Sequence, residues 1–160
     1  MRSPFAGFVP RRRFVRALAV TVALGMAALA VAGRAQELRL PGLDGQTLTD
    51  ADLRQGNVVV VVWASWSPRS RGIAERIDAL AAGGKARVLT VNFQEDRPVV
   101  EAFLANNRFR APVYLDGDGA FAKRYALANL PGLLVLKNGT VAYQGKLPDD
   151  PAPLLRDLLP

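Results

Sequence analysis

Two serines three residues apart, Ser67 and Ser70, lie where a run of valines gives way to a helical pattern. A serine hydroxyl acts as a nucleophile only when an adjacent base takes its proton. The chain contains no histidine and no cysteine. Ser-His-Asp catalysis, histidine-ligated metals, thiolate metal sites and all thiol chemistry are therefore excluded. The sequence predicts no cofactor and no metal site.

The segments around the two serines predict a strand followed by a helix. Residues 58–62 form an unbroken run of valine, which is typical of a strand buried on both faces of an α/β sheet. A helical pattern begins near Ser70, and Ile73, Ile77 and Leu80 fall on one face of the predicted helix. Two glycines at 83 and 84 end the predicted helix. Ser67 is a preferred N-cap residue for it, worth about 1 kcal/mol over alanine.

The rest of the chain alternates strand and helix signals. Residues 38–48 predict a short hairpin and Thr49 caps a helical turn after it, while residues 87–92 and 111–115 predict strands. Pro98 opens a helix, and Asn138 and Gly139 mark a tight hairpin turn. Asp150 caps a predicted last helix that has Pro151 in its first turn. We expect an α/β domain with a central mixed sheet flanked by helices.

The segment from Trp63 to Ser70 reads WASWSPRS. It resembles the WASWCxxC active-site segment of thioredoxin-fold thiol–disulfide oxidoreductases, in particular their exported TlpA/ResA-like branch. Pro68 in the loop is a second landmark, and Leu130-Pro131 before the predicted hairpin is a third. The resemblance covers about residues 37 to 159. It implies a thioredoxin fold with an N-terminal β-hairpin and an inserted αβ unit, and a cis-proline at Pro131.

The resemblance also shows which chemical groups are missing. The family's nucleophilic and resolving cysteines fall at Ser67 and Ser70, and two hydroxyls form no redox couple. The family's glutamate, which helps proton transfer, falls at Ile73. We therefore expect a redox-inactive protein with no catalytic residues. The alternative is a diverged thiol–disulfide oxidoreductase-family protein in disulfide reduction or cytochrome c maturation, and a third is a drifting paralogue without selected function.

The chain keeps the family's tryptophans and prolines around the site but lacks its catalytic groups. This combination favours a protein or peptide-binding module. The fold usually holds an extended peptide through the backbone beside its cis-proline, which here is that of Leu130. Packing alone is the alternative role for both tryptophans. The predicted binding residues are Trp63, Trp66, Ser67, Pro68, Ser70, Leu130 and Pro131.

The first 35 residues predict an export signal. Arginines at 11 to 13 and at 16 precede an apolar run over residues 17–33, and a cleavage site follows Ala35. The arginine pattern also resembles the twin-arginine consensus. We therefore expect residues 36–160 to form one thioredoxin-like domain in the periplasm. The alternative is an uncleaved inner-membrane anchor facing the periplasm, which would be the chain's only membrane contact.

The net charge of +7 belongs to the N-terminal segment. Six of the 21 basic residues and none of the 14 acidic residues precede residue 36, which leaves 15 against 14. A nearly neutral domain does not predict nucleic-acid binding. Within it, Glu95 and Asp96 are interpreted as a solvated loop. Arg69 and Arg71 are interpreted as exposed arginines, with anion binding as the alternative.

Overall fold

The computed structural model describes residues 37–159, which contain two β-sheets. The strands are β1 (Arg39–Pro41), β2 (Thr47–Thr49), β3 (Asn57–Trp63), β4 (Arg87–Phe93), β5 (Val113–Asp116), β6 (Gly132–Lys137) and β7 (Thr140–Lys146). The first two pair as an antiparallel hairpin, and the other five form one mixed sheet in the order β5-β4-β3-β6-β7. The predicted N-terminal hairpin and central mixed sheet are confirmed.

Helices cover both faces of the five-stranded sheet. They are α1 (Asp50–Leu53), α2 (Ile73–Ala82), α3 (Arg97–Asn106), α4 (Ala120–Arg124) and α5 (Ala152–Leu158). One buried cluster joins the hairpin, α1 and α4 to the sheet, and a second joins α2, α3 and α5 to its other face. The helix α3 and the strand β5 form the inserted αβ unit between β4 and the C-terminal hairpin.

The strand β3 is the centre of the sheet. It runs parallel to β4 and antiparallel to β6. Alternate side chains of a strand point to opposite faces, so a strand with helices on both sides is apolar at every position. Val58, Val60 and Val62 accordingly contribute to one cluster, while Val59 and Val61 contribute to the other. The continuous valine run is explained by this placement.

Strand register brings three chain segments together at one end of β3. Val62 pairs with Gly132, the first residue of β6, and Trp63 pairs with Asn92 near the end of β4. The loop after Trp63 therefore lies between the residues that precede β6 and those that follow β4. This edge of the sheet holds the candidate site.

Three local predictions have definite outcomes. Thr49 caps α1 and its side chain accepts from the Asp52 amide, as expected. Asn138 and Gly139 have φ of 49° and 80°, which is the geometry of the predicted tight turn. The helix α5 begins at Ala152 with Pro151 as its N-cap, which corrects the predicted cap at Asp150. The Asp150 carboxylate still accepts from the Ala152 amide at 3.0 Å.

The export signal over residues 1–35 lies outside the described residues, and it stays a prediction. Within residues 37–159, no helix has the length and apolar character needed to span a membrane.

Candidate functional site

The loop after β3 folds into a short 3-10 turn before α2 begins. The turn covers Pro68–Ser70, and Arg71 is extended with φ of −62° and ψ of 132°. Gly72 follows with φ of 66°, a left-handed conformation that breaks the helical path. The prediction that the helix begins near Ser70 is therefore wrong, and α2 begins three residues later, at Ile73.

Ser67 does not cap the helix. It makes no side-chain capping hydrogen bond, although it precedes the 3-10 turn. Its hydroxyl instead donates to the Leu130 carbonyl at 3.2 Å, across to the segment before β6. The expected capping role is corrected, because the register that brings β3 beside β6 offers this carbonyl as an acceptor. Ser67 links the two loops of the site.

Ser70 is tied to its own loop. Its hydroxyl donates to the Ala64 carbonyl at 2.7 Å, and the side chain is 1% exposed. The Ser67 amide also donates to the Ala64 carbonyl, at 3.2 Å. Both motif hydroxyls therefore give their protons to backbone carbonyls, and neither has a base as its partner. The arrangement holds the loop in shape and does not activate a nucleophile.

The peptide bond between Leu130 and Pro131 is cis, as the resemblance implied. The Pro131 carbonyl accepts from the Leu147 amide at 2.9 Å, so Pro131 is tied to the end of β7. The Leu130 carbonyl accepts from Ser67. The Leu130 amide has no hydrogen-bond partner in the part of the chain that the structure describes. The Leu130 carbonyl is therefore engaged within the fold and its amide is not.

The two tryptophans have different environments. Trp63 has no exposed area and packs on Phe103 and Phe109, with ring centroids 5.0 and 5.9 Å apart. Trp66 is 62% exposed. A side chain without exposed area cannot contact a partner in this conformation. Trp63 is therefore a core residue, which corrects its place among the predicted binding residues. A binding role for Trp66 stays a prediction.

Ile73 lies where the resemblance expects the family's glutamate. It is the first residue of α2 and is completely buried, in the same apolar cluster as Ile77 and Leu80. The position faces the core and not the loop's polar groups. The side chain at this position therefore packs in the core and supplies no carboxylate to the loop.

Glu95 is a site residue that the sequence interpretation missed. Its carboxylate accepts from the Ser65 amide at 2.7 Å, from the Ser65 hydroxyl, and from the Asn92 side-chain amide at 2.7 Å. It is half-buried, not a solvated loop residue. The carboxyl ends of parallel β3 and β4 meet at one edge, so a carboxylate just after β4 lies beside the loop after β3. That strand pairing is the signal that could have found it.

A groove beside the loop is lined by side chains of the motif and of α3. Ser65, Trp66, Pro68 and Arg71 lie on the loop side, and Phe103 and Asn107 lie opposite. Within residues 37–159, no group of three or more acidic side chains is placed to hold a metal ion. The expectation of no cofactor stays a prediction. The site presents a tryptophan, two satisfied hydroxyls and an open backbone amide.

Comparison with known proteins identifies the family. The family model described as Redoxin matches residues 25–158. The thiol:disulfide interchange protein DsbE of Yersinia pestis is 31% identical over 105 residues, which are 62% of this chain and 54% of that protein. The DsbE protein of Escherichia coli K12 is 30% identical over 114 residues, 68% of this chain and 60% of that protein.

The chain thus matches 54 to 60% of the length of these curated relatives. A solved structure from Chlorobium tepidum, assigned as a thiol:disulfide interchange protein DsbE, shares the fold with a TM-score of 0.67 and 26% identity. That superposition covers 79% of this chain and 93% of the other. The chain therefore belongs to the Redoxin family, as a DsbE-like thioredoxin-fold member whose sequence contains no cysteine.

Proposed function

We propose that this protein is a redox-inactive binding module that holds an extended segment of a partner protein against Trp66, Ser67 and Leu130-Pro131. One observation carries the proposal. Both motif hydroxyls are bound to backbone carbonyls, while the neighbouring Trp66 side chain is 62% exposed. The loop therefore keeps its shape and an apolar contact surface without any reactive group.

The chemistry of the site supports redox inactivity. Thiol–disulfide exchange needs a thiolate nucleophile and a second sulfur to resolve the mixed disulfide. The chain has neither, since it lacks cysteine altogether. The buried Ile73 also removes the family's carboxylate from the site.

The geometry supports peptide binding. The Leu130 amide is an unused donor next to Pro131, and an extended segment pairs with such a backbone group. Exposed tryptophans are over-represented among residues that dominate protein interfaces. Trp66 is the most exposed large apolar side chain within residues 37–159. Together these groups offer one directional hydrogen bond and one apolar contact.

A binding assay tests this proposal. Crosslinking in native extracts followed by mass spectrometry would identify a partner, and the purified pair would then be titrated. Trp66→Ala should weaken binding at least about tenfold, as expected for an interface residue that costs more than 1 kcal/mol. Val141→Ala is the matched control, because Val141 is also exposed and apolar but lies on β7. Equal affinity for Trp66→Ala and the parent chain would reject the assigned surface.

A second candidate function follows from the relatives' names. Two DsbE proteins that match this chain are named thiol:disulfide interchange proteins, which favours a role in thiol–disulfide exchange. The resemblance described above implies disulfide reduction or cytochrome c maturation as the setting. Reduction of insulin by dithiothreitol separates the two functions. We expect no rate above the uncatalysed reaction, and a reproducible acceleration would support the second function over the first.

We also propose that the protein acts in the periplasm after cleavage following Ala35. The basic residues and apolar run before that position support export. N-terminal sequencing of the protein from a periplasmic extract tests this, and a retained residue 1 in a membrane fraction would favour the inner-membrane anchor.

A further inference from the structure

A cleft on the Pro131 side of the loop has an excess of positive charge. One carboxylate, that of Asp149, also borders the cleft. From residue 36 onward the chain has 15 basic and 14 acidic residues, so the excess is local and not a property of the whole domain. The basic side chains that line the cleft are Arg69, Arg71, Arg76 and Lys146.

Most of this charge is not neutralised within the protein. The Arg76 guanidinium lies 3.9 Å from the Asp149 carboxylate, whose side chain is 98% exposed, and such a pair is weak. Arg76 also donates to the Arg69 carbonyl at 2.6 Å. Arg69, Arg71 and Lys146 form no ion pair with the described part of the chain. At least three exposed cations therefore remain available.

The backbone places these cations around the peptide-binding edge. Arg69 lies in the 3-10 turn, and the left-handed Gly72 keeps Arg71 outside α2. On the opposite side, Lys146 pairs with Gly132, the residue directly after Pro131. The cations thus approach the cis-proline from two separate elements.

The basic cleft continues the surface that the proposed function uses. Arg71 lines both this cleft and the groove that contains Trp66. Ser67 joins the loop to Leu130, so the relative position of the two sides is held by a hydrogen bond. A bound segment that crosses Leu130-Pro131 would have Trp66 on one side and the cationic cleft on the other.

We propose that the occupant of this cleft is an acidic, extended segment of the partner protein, with aspartate or glutamate side chains against Arg69, Arg71 and Lys146. The inference rests on the proposed function, whose site it extends. Complementary charge increases the association rate and suppresses partners of the wrong sign. Arginine suits carboxylates because its planar guanidinium can donate two parallel hydrogen bonds.

The probes for the test are three acetylated eight-residue peptides. All three begin with the same alanine, valine and leucine residues. The acidic peptide continues with glutamate and aspartate, the neutral peptide with glutamine and asparagine, and the basic peptide with lysine. Binding to the full chain is measured by calorimetry and by the fluorescence of Trp66 in low salt. The acidic peptide should bind about fivefold more tightly than the neutral one, because exposed ion pairs are individually weak, and this preference should fall as salt is added.

Charge reversal assigns the effect to the cleft. Arg69→Glu combined with Lys146→Glu should abolish the preference for the acidic peptide. The matched control is Arg39→Glu combined with Lys123→Glu, which reverses two exposed cations elsewhere and should retain it. Circular dichroism verifies that both double variants keep the fold. Arg71→Gln, a single loss of charge, is the milder variant to use if the Arg69→Glu and Lys146→Glu protein unfolds.

The outcomes separate this inference from the proposed function. Trp66-dependent binding of the neutral and acidic peptides with equal affinity would keep the proposed function and overturn the acidic preference. No binding of any peptide would overturn both. Equally tight binding of a twelve-nucleotide single-stranded DNA, unaffected by Trp66→Ala, would show a general polyanion surface and also overturn the inference.

Discussion

Replacing Ile73 with glutamate puts a carboxylate where the resemblance expects the family's glutamate, and we expect the change to destabilise the fold. Ile73 is completely buried at the start of α2, within the cluster that includes Ile77 and Leu80. A carboxylate there loses its hydration without a polar partner. The substitution tests whether this position has become part of the core.

The expected loss of folding stability in Ile73→Glu has two parts. Removing the buried isoleucine and inserting an uncharged polar chain should cost about 2–5 kcal/mol, the range for truncating a buried aliphatic side chain. Ionising the carboxylate adds a cost, which we place at about 1.5–4 kcal/mol, corresponding to a pKa raised by roughly one to three units. The first turn of α2 reduces it by about 0.3–1 kcal/mol through the helix dipole.

Urea unfolding of Ile73→Glu and Ile73→Gln between pH 4 and pH 8 separates these parts. The folded-state pKa of the new glutamate is raised above its unfolded value. Its penalty is therefore absent below the unfolded pKa and fully present above the folded pKa. The stability of Ile73→Glu relative to Ile73→Gln should fall as pH rises through this window. Because both variants share all other titratable groups, the difference between their unfolding free energies contains only the titration of the new glutamate.

Ala79→Glu is the matched control, because Ala79 is exposed on the same helix. It should change stability by no more than about 0.5 kcal/mol, the usual range for surface substitutions. Equal stability of Ile73→Glu and Ile73→Gln at pH 8 would refute the reasoning, since the carboxylate would then have reached water.

Three further predictions follow from the site and its neighbourhood. With single cysteines, Ser67→Cys should react with a thiol reagent several-fold faster than Ser70→Cys, because their positions are 7% and 1% exposed; equal rates would contradict the burial. Trp66→Phe should remove the acrylamide-quenched part of the fluorescence and leave the shielded emission of Trp63, and loss of the shielded part instead would reverse the assignment. Hydrogen bonds from Thr49 lower the pKa of Asp52 below its ordinary 3.8, so its stabilisation is present above that value and is lost as pH falls through the lowered pKa. Asp52→Asn should therefore destabilise the protein at pH 7 by about 1 kcal/mol, with a deficit that shrinks in acid, and a pH-independent deficit in urea unfolding would contradict this.

The local elements of the fold were predictable because their signals are local. The valine run of β3 predicted a strand buried on both faces, and the Asn138-Gly139 pair predicted its hairpin turn. The absence of cysteine predicted a redox-inactive protein without any tertiary information. Side-chain chemistry and backbone preference are properties of each residue and its neighbours in sequence, and they do not depend on where the residue lies in the fold.

The start of α2 and the role of Ser67 were not predictable in the same way. A serine before a turn is a good N-cap by propensity, but a carbonyl 63 residues away competes for its hydroxyl. That carbonyl is adjacent only because β3 pairs with β6. Gly72 has a left-handed conformation, and the helix begins directly after it. The spacing of apolar residues carries no information about this backbone conformation.

The sequence by itself determined the class of fold and the loss of thiol chemistry. Tertiary structure decided which residues form the site. It buried Trp63 and exposed Trp66 although both belong to one motif, because β3 ends at Trp63 and the loop leaves the core there. It also brought Glu95 to Ser65, and Lys146 beside Pro131, through strand pairings between distant segments. Proximity of this kind depends on register, which no single segment encodes.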